Sequence, residues 1–412
     1  MALRVLMLTQ WFDPEPAFKG LAFAKKLTKL GLEVEVVTGF PNYPFGKIYP
    51  GYRIKPVQRE LLDGVRITRV ALYPSHDRSP IKRILNYVSF AFSSFWYCLI
   101  FVRKIDVIYA YHPPLTVGIA ASFLGLLRRI PVVYDVQDLW PDTLRTTGMM
   151  DNDRVISLVG SICDQVYKRV DQIVVLSPGF KSQLIQRGVP ESKVTVIYNW
   201  ANEDVIESNA HAVPTGFPGP ETFRLLFAGN MGVPQGLSAV LDAAKLLLGR
   251  GVSATVIFVG TGLQLEELKR KASALDLTNV IFFPPVSMAQ IGAYLKNADA
   301  LLVHLKAEKL FKITIPSKTQ AYMAVGKPIL MAVEGDAAEL VKAARCGVIA
   351  SPEDPVAIAD AIQSFADMSP GNRRGMGTRG LSFYQENLSL SVGSAKFMKV
   401  FEDAIRKTKA YD

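Results

Sequence analysis

The fold of this chain is decided by the stretch RLLFAGNMGVPQGL at residues 224–237. A short apolar run ends at Ala228, a glycine-bearing turn follows, and a helical apolar pattern begins near Leu237. A strand, a tight turn and a helix in this order are typical of a crossover unit in a parallel sheet. Free N–H groups at such a turn can bind an anion, and the same composition also suits a purely structural turn.

The same alternation continues on both sides of this stretch. Short apolar runs alternate with helical patterns. The helical patterns lie at 20–30, 115–129, 155–170 and 237–248. The apolar runs lie at 3–9, 34–38, 107–109, 132–135, 173–176, 194–197, 254–259, 280–283, 300–304, 328–333 and 347–350. Residues 214–220 are dense in turn formers and interrupt the rhythm. The pattern predicts two doubly wound α/β domains at 1–200 and 222–380, joined by a linker at 201–221. A last helical segment at 381–412 is predicted to return to the first domain.

The composition limits the classes of protein to which this chain can belong. The 412 residues are 49% hydrophobic and 20% charged, which allows two sizeable cores and argues against a disordered chain. Between Lys47 and Lys104 there are eleven Lys or Arg and three Asp or Glu, so the basic excess is concentrated there. Such a patch suits an anionic partner or serves only solubility. Three widely spaced cysteines favour a reducing compartment, and the first apolar run is too short for a signal peptide. We therefore expect a cytoplasmic protein.

Several residues in the second half are typical of a phosphate site. Gly229 and Gly232 lie in the first turn, and Gly260 and Gly262 follow the next strand, without the pattern of a Walker loop or a Rossmann fingerprint. Lys318 lies in the first turn of a helix predicted over 317–325, where the helix dipole disfavours a cation. A bound anion explains a lysine at this position better than stability does.

In the first half, polar side chains follow two of the predicted strands. Asp138 and Trp140 come after the strand at 132–135, and His112 comes after 107–109. All three are candidates for a site at the carboxyl edge of the sheet, where ligands bind in folds of this kind. The alternatives are a helix cap at Asp138 and structural roles for the two rings. The acidic cluster at 151–153 precedes a helix, so we interpret it as a cap and expect no metal.

These patterns together resemble the retaining glycosyltransferases of family four. The resemblance spans nearly the whole chain, and its motifs are KLGLEVEVVT at 29–38, DLWP at 138–141, VIYNW at 196–200, AGNMG at 228–232, QGL at 235–237 and MAVGKP at 323–328. Among the family, the chain looks most like the N-acetyl-fucosamine transferases of bacterial O-antigen and capsule assembly. The resemblance implies the GT-B fold, with two Rossmann-like domains facing a central cleft.

The chain departs from the family pattern at the donor site. Asn230 and Gln235 stand where the family has the Arg and Lys that grip the diphosphate. Ile313 and Ala321 stand where it has two Glu eight positions apart, of which the later one holds the ribose. Ribose contact would pass to Gln320 or Glu339, and Lys318, with Lys312 as a second candidate, would replace the missing cations. The resemblance therefore implies that the donor is bound by Gly20, Gly229, Asn230, Gly232, Gln235, Gly260, Gly262, Ser317, Lys318, Gln320 and Glu339.

The function implied by the resemblance is transfer of a sugar, with retention, from a UDP-sugar to a lipid-diphosphate-linked glycan in surface polysaccharide synthesis. An N-acetylated deoxysugar is the expected sugar. Asp138 and Lys318 are the expected catalytic residues, and His112 and Trp140 the expected acceptor contacts. No cofactor, metal or nucleic acid is expected. Two alternatives remain, a GT-B-like sugar-nucleotide epimerase and a nucleotide-sugar-binding scaffold without turnover.

A further prediction concerns the membrane. Tyr87–Val102 is a run of 16 residues without charge, rich in aromatic side chains and bounded by basic residues at 82–83 and 103–104. A spanning helix needs about 20 apolar residues, so this run fits an interfacial helix or a core helix better. We expect the segment 81–104 to contact anionic lipid at the inner face of the cell membrane.

Overall fold

The computed structural model of the protein describes residues 2–76, 79–146, 152–203 and 212–411. The chain forms two compact units, one of Met1–Tyr198 with Gly393–Asp412 and one of Asn199–Val392. Each unit has one mainly parallel sheet with crossover helices. This confirms the predicted pair of doubly wound α/β domains.

The first unit is built on an eight-stranded sheet in the order β3-β4-β2-β1-β5-β6-β7-β8. Its strands are β1 (Arg4–Thr9), β2 (Glu33–Gly39), β3 (Val57–Leu62), β4 (Val65–Val70), β5 (Val107–Tyr111), β6 (Val132–Val136), β7 (Gln172–Val175) and β8 (Val194–Val196). All neighbours pair in parallel except β3 and β4, which form an antiparallel hairpin at the edge. The central strands are almost wholly buried, as expected of a parallel sheet covered on both faces.

The helices of the first unit are α1 (Leu21–Lys29), α2 (Pro80–Phe101), α3 (Leu115–Arg128), α4 (Asp142–Thr146), α5 (Asp153–Arg169) and α6 (Pro178–Gln186). Helix α2 packs along α3, and α3 packs on α5. Helix α1 packs elsewhere, against the end of the chain: the Phe23 ring meets the Phe397 ring edge-on at 5.1 Å between centroids.

The second unit is built on a six-stranded parallel sheet in the order β11-β10-β9-β12-β13-β14. Its strands are β9 (Phe223–Asn230), β10 (Ala254–Thr261), β11 (Val280–Phe283), β12 (Ala300–His304), β13 (Ile329–Ala332) and β14 (Gly347–Ile349). Its helices are α7 (Ser238–Gly249), α8 (Leu265–Ala274), α9 (Met288–Asn297), α10 (Lys309–Lys312), α11 (Ser317–Val325), α12 (Asp336–Ala344), α13 (Pro355–Asp367) and α14 (Pro370–Asn387). The last helix, α15 (Leu390–Tyr411), begins in this unit.

The domain boundaries differ in detail from those predicted. Helix α14 runs to Asn387 within the second unit, so the chain joins the first unit at 393 and not at 381. Of the predicted linker at 201–221, residues 204–211 lie outside the described residues. The second unit begins at Asn199, and Glu203 bonds this segment to it. The Glu203 carboxylate accepts hydrogen bonds from the Tyr384 hydroxyl at 2.7 Å and from Leu390 N at 2.9 Å.

Candidate functional site

The predicted phosphate-binding residues lie at one edge of the second sheet. Strands β10, β9, β12 and β13 are neighbours and parallel, so their carboxyl ends lie side by side. The loops that leave these ends start at 231, 262, 305 and 333. In open parallel sheets this edge is where ligands bind.

Two of the glycines are required by the close approach of two loops. A Cβ atom on Gly260 would lie 2.2 Å from the Gly229 carbonyl oxygen, and one on Gly262 would lie 2.4 Å from the Met231 carbonyl oxygen. Both residues also have φ values in the region that favours glycine, +139° and +157°. Met231 N donates to the Thr261 carbonyl at 2.8 Å. Gly260 and Gly262 thus hold the loop after β10 against the loop after β9.

The loop after β9 closes on itself. Gly232 N donates to Oε1 of Gln235 at 2.9 Å around the 3-10 turn Val233–Gln235. The Gly232 amide is therefore already bonded, which corrects the expectation that it is open to a phosphate. The Gln235 side chain is thus bonded within its own loop. Gly229 and Asn230 are exposed at the end of β9.

Lys318 lies in the first turn of α11, and the predicted helix Ser317–Val325 is confirmed. Its ammonium is 4.9 Å from the centroid of the Phe227 ring, and its Cε would lie 3.1 Å from a Cβ on Gly229. The side chain is half-buried, and burial lowers the pKa of its ammonium. No carboxylate in the described part of the chain pairs with it. A half-buried cation beside an exposed loop without a counter-ion is a site suited to an anion.

The other donor candidates are placed less favourably. Gln320 is buried, and its Oε1 has no hydrogen-bond partner among the described residues. Glu339 is exposed and pairs with Lys342 at 2.9 Å along the surface of α12. Lys312, the second candidate for a replacement cation, pairs with Glu334 at 2.5 Å. It therefore already has a carboxylate partner. Ser317 is exposed at the start of α11, next to Lys318.

A buried histidine that the sequence analysis did not single out holds the loop. His304, at the end of β12, is 1% exposed. Glu353 N donates to its Nε2 at 3.2 Å, so the ring proton is on Nδ1, which donates to the Gln235 carbonyl at 2.7 Å. Burial lowers the pKa of the imidazole, which keeps the ring neutral near pH 7. His304 therefore ties the 231–236 loop to the segment after β14.

Replacing His304 with Ala should weaken UDP binding about tenfold, since one buried hydrogen bond that fixes the loop is lost. His304→Asn keeps a side-chain N–H near the position of Nδ1 and should restore most of the affinity. Titration calorimetry with UDP measures both variants. Wild-type affinity in the Ala variant, or equal losses in the two variants, would contradict this role for the Nδ1 hydrogen bond.

The acceptor candidates of the first unit follow strands β5 and β6. Asp138 is half-buried, and burial raises the pKa of its carboxyl to about 6. No described residue donates a hydrogen bond to its side chain, and α4 begins only at Asp142, so Asp138 is not a helix cap. The His112 ring is 1% exposed and meets the rings of Trp140 and Tyr134 edge-on at 5.6 and 5.9 Å. Trp140 is partly exposed, whereas the His112 ring packed against it is buried.

Gly20 has a structural partner. A Cβ on Gly20 would lie 2.2 Å from Oδ2 of Asp13, and the same oxygen accepts from Leu21 N at 2.6 Å. A carboxylate of the chain itself thus occupies the N-terminus of α1. Gly20, expected among the donor contacts, therefore lies next to a helix N-terminus that the Asp13 carboxylate already occupies in this conformation.

Two buried carboxylates next to these residues were missed from the sequence. Lys19 and Asp135 form an ion pair at 3.4 Å with both side chains fully buried, and the Tyr109 hydroxyl donates to Asp135 at 2.7 Å. Glu15 accepts hydrogen bonds from the backbone N–H groups of Asn42 and Tyr43, both at 2.6 Å. These contacts fix the loop after β1 against strand β6 and against the loop after β2.

The acidic cluster at 151–153 is a helix start. The Asn152 side chain accepts from Arg154 N and Val155 N, which caps α5, while Asp151 lies outside the described residues. Within the ranges described, no group of three or more His, Cys, Asp or Glu is placed to hold a metal ion.

Comparison with known proteins identifies the family of both halves of the chain. Residues 21–200 match the family described as "Glycosyl transferase 4-like domain", and residues 222–367 match "Glycosyl transferases group 1". WcaI of Escherichia coli, named as a colanic acid biosynthesis glycosyl transferase, is 28% identical over 317 residues, which cover 75% of this chain and 77% of WcaI. WbjE of Pseudomonas aeruginosa, named as a glycosyltransferase, is 25% identical over 282 residues, 66% of this chain and 68% of WbjE.

Solved structures show the same fold. HepE of Anabaena, determined in complex with UDP, superposes with a TM-score of 0.68 at 16% identity and covers 97% of this chain and 100% of its own. Sucrose-phosphate synthase of Thermosynechococcus elongatus superposes with a TM-score of 0.70 at 16% identity, covering 98% and 100%. The protein is therefore a glycosyltransferase of the GT-B fold, with a glycosyl transferase 4-like first domain and a group 1 second domain.

Proposed function

We propose that this glycosyltransferase moves a sugar, with retention of configuration, from a UDP-sugar to a glycan linked to a polyprenyl diphosphate. The observation that carries the proposal is Lys318, a half-buried cation without a carboxylate partner beside the exposed Gly229. The UDP held by HepE and the colanic acid pathway in the name of WcaI support a UDP-sugar donor and polysaccharide synthesis. An N-acetylated deoxysugar remains the expected sugar.

On the donor side, the chemistry needs stabilisation of the leaving group. The bond between the anomeric carbon and the β-phosphate oxygen breaks, and the UDP that leaves gains negative charge. A fixed cation and fixed N–H groups that meet this charge supply most of the catalysis in sites of this type. Lys318 supplies the cation, and its ammonium stands in a partly desolvated position where its charge acts more strongly than in water. The scheme requires no metal.

On the acceptor side, we assign Asp138 to position the acceptor hydroxyl and to stabilise positive charge on the sugar ring. Burial raises the pKa of its carboxyl to about 6, and no described residue donates a hydrogen bond to it, so the carboxylate is available to a developing cation. The proton of the acceptor hydroxyl passes to an oxygen of the departing diphosphate. Trp140 offers an exposed ring to the glycan, with His112 packed against it. All three cysteines are free and buried, which agrees with the proposed cytoplasmic location.

The proposal is tested by incubating the full-length protein with a panel of UDP-sugars, with and without a lipid extract as the acceptor source. We expect UDP release that depends on the extract, and label from one sugar in the lipid fraction. Nuclear magnetic resonance of the product gives the configuration of the new bond. UDP and free sugar formed equally without the extract would indicate an epimerase. Tight UDP-sugar binding with no turnover under any condition would indicate a scaffold.

A further inference from the structure

Helix α2 has one face fastened to the first domain along its length. Near its start, Asn86 accepts a hydrogen bond from Gln10 Nε2 at 2.5 Å and donates to the Tyr73 carbonyl at 2.7 Å. Near its end, the Arg128 guanidinium donates to the Cys98 carbonyl at 3.1 Å. Phe90, Ser94 and Tyr97 are buried between these points. The helix is thus an integral part of the domain surface.

The opposite face of α2 is apolar and exposed. Its exposed large side chains recur at helical spacing and are Ile81, Ile84, Leu85, Val88, Phe92, Trp96 and Ile100. A helix on the surface of a water-soluble protein normally shows charged residues on this side. An exposed stripe of this length marks an interaction surface.

The neighbouring helices extend this apolar surface. Helix α3 exposes Phe123, Leu126 and Leu127, and α5 exposes Leu158. Between α2 and α3 lies an apolar groove of about 330 Å³, lined by Phe92, Phe95, Ile119 and Phe123 among others. The three helices therefore present one apolar surface, here called the α2–α3–α5 face.

Basic residues border the face at the carboxyl ends of its helices. Arg103 and Lys104 follow α2, and Arg129 follows α3; all three are exposed. The Arg169 guanidinium, at the end of α5, lies 5.2 Å from the centroid of the Phe123 ring. Helices α2 and α3 contain no Asp or Glu. An apolar surface with basic residues at its border and no acidic residue on α2 or α3 is complementary to anionic headgroups over a hydrocarbon layer.

We propose that the α2–α3–α5 face docks on the surface of an anionic lipid bilayer, with the α2 and α3 side chains at the depth of the headgroups. By length and composition α2 could cross a membrane. Its buried face, however, is bonded to the domain at both ends, and a spanning helix would have to give up these bonds. The inference goes beyond the proposed function and does not depend on it. It also extends the predicted contact at 81–104 to α3 and α5.

The first test is co-sedimentation of the full-length protein with vesicles. Vesicles with one-third phosphatidylglycerol should bind the protein, and pure phosphatidylcholine vesicles should bind it at least tenfold more weakly. High salt should weaken binding to the anionic vesicles. Arg103→Gln combined with Lys104→Gln should lower the affinity severalfold, while the matched pair Lys26→Gln with Lys29→Gln on α1 should not.

A second comparison isolates the apolar contribution of α3. Leu126 is 66% exposed and Leu61, on the edge strand β3, is 67% exposed, so serine at either position removes an equally exposed side chain. Leu126→Ser should weaken vesicle binding about tenfold, as expected for loss of one inserted leucine, and Leu61→Ser should leave it unchanged. Circular dichroism checks that both variants are folded. Equal effects of the two variants, or binding that ignores lipid charge, would overturn the proposal. Concentration-dependent dimerisation abolished by Leu126→Ser, with no vesicle binding, would instead make the face a protein interface.

Discussion

Lys318→Ala should leave the protein folded and lower its turnover by about a hundredfold or more, the loss expected when one fixed charge no longer meets the leaving group. The ammonium lies beside Gly229 at the end of β9, where the diphosphate is proposed to bind, and no described carboxylate competes for it. Because burial lowers its pKa, wild-type activity should also decline at an alkaline pH below the ordinary lysine value of 10.5. The measurement is UDP release under saturating donor.

Lys342→Ala is the matched control, because this lysine lies on α12 in the same domain and pairs with an exposed glutamate. It should retain wild-type turnover. Near-normal turnover in a folded Lys318→Ala variant would remove Lys318 from the mechanism.

Asp138→Asn should lower kcat by about a hundredfold while the Kd for UDP changes little, because the carboxylate is proposed to act on the acceptor and the reacting sugar. If the ionised carboxylate is the active form, wild-type activity should fall about tenfold per pH unit below a pH of about 6. The variant should lose this limb of the pH–rate profile. Asp153→Asn, at an exposed position of the same domain, is the control and should keep both kcat and the profile.

Stability provides an independent check on Asp138. Burial raises its pKa in the folded protein from 3.8 to about 6, so the folded protein holds this proton more tightly than the unfolded chain does. The resulting stability is present below pH 3.8 and is lost as the pH rises through 6. At pH 7.5 the Asn variant should therefore unfold at a temperature no lower than that of the wild type. A collapse of UDP binding with unchanged use of the acceptor would show that the domain roles are wrongly assigned.

Much of the fold could be predicted because parallel strands buried on both faces are visible as short apolar runs between helices. The hairpin of β3 and β4 was missed, since charged residues such as Arg59, Glu60 and Arg66 interrupt its pattern at the edge of the sheet. The boundary near 381 was placed too early because it falls inside α14, and nothing in the sequence shows that Tyr384 bonds with Glu203, 181 residues away.

The candidate site was only partly predictable. Lys318 could be found because a lysine in the first turn of a helix opposes the dipole, and the glycines could be found because they follow strands. The role of Gln235 could not be read from its residue type, because its side chain bonds to Gly232 within its own loop. The role of His304 depends on a hydrogen bond to Gln235, which lies 69 residues earlier in the chain. The one sequence signal for His304 was its place at the end of a predicted strand.

The second domain is proposed to hold the nucleotide diphosphate at the carboxyl edge of its sheet. Hydrogen exchange of the full-length protein, measured by mass spectrometry with and without UDP, tests this most directly. UDP binding should slow exchange in the loop at 229–236, in the loop at 260–263 and at the start of α11. The Lys318→Ala variant should need a higher UDP concentration for the same protection. Protection by UDP confined to the first domain, with none at these three segments, would show that the second domain does not hold the diphosphate at this edge.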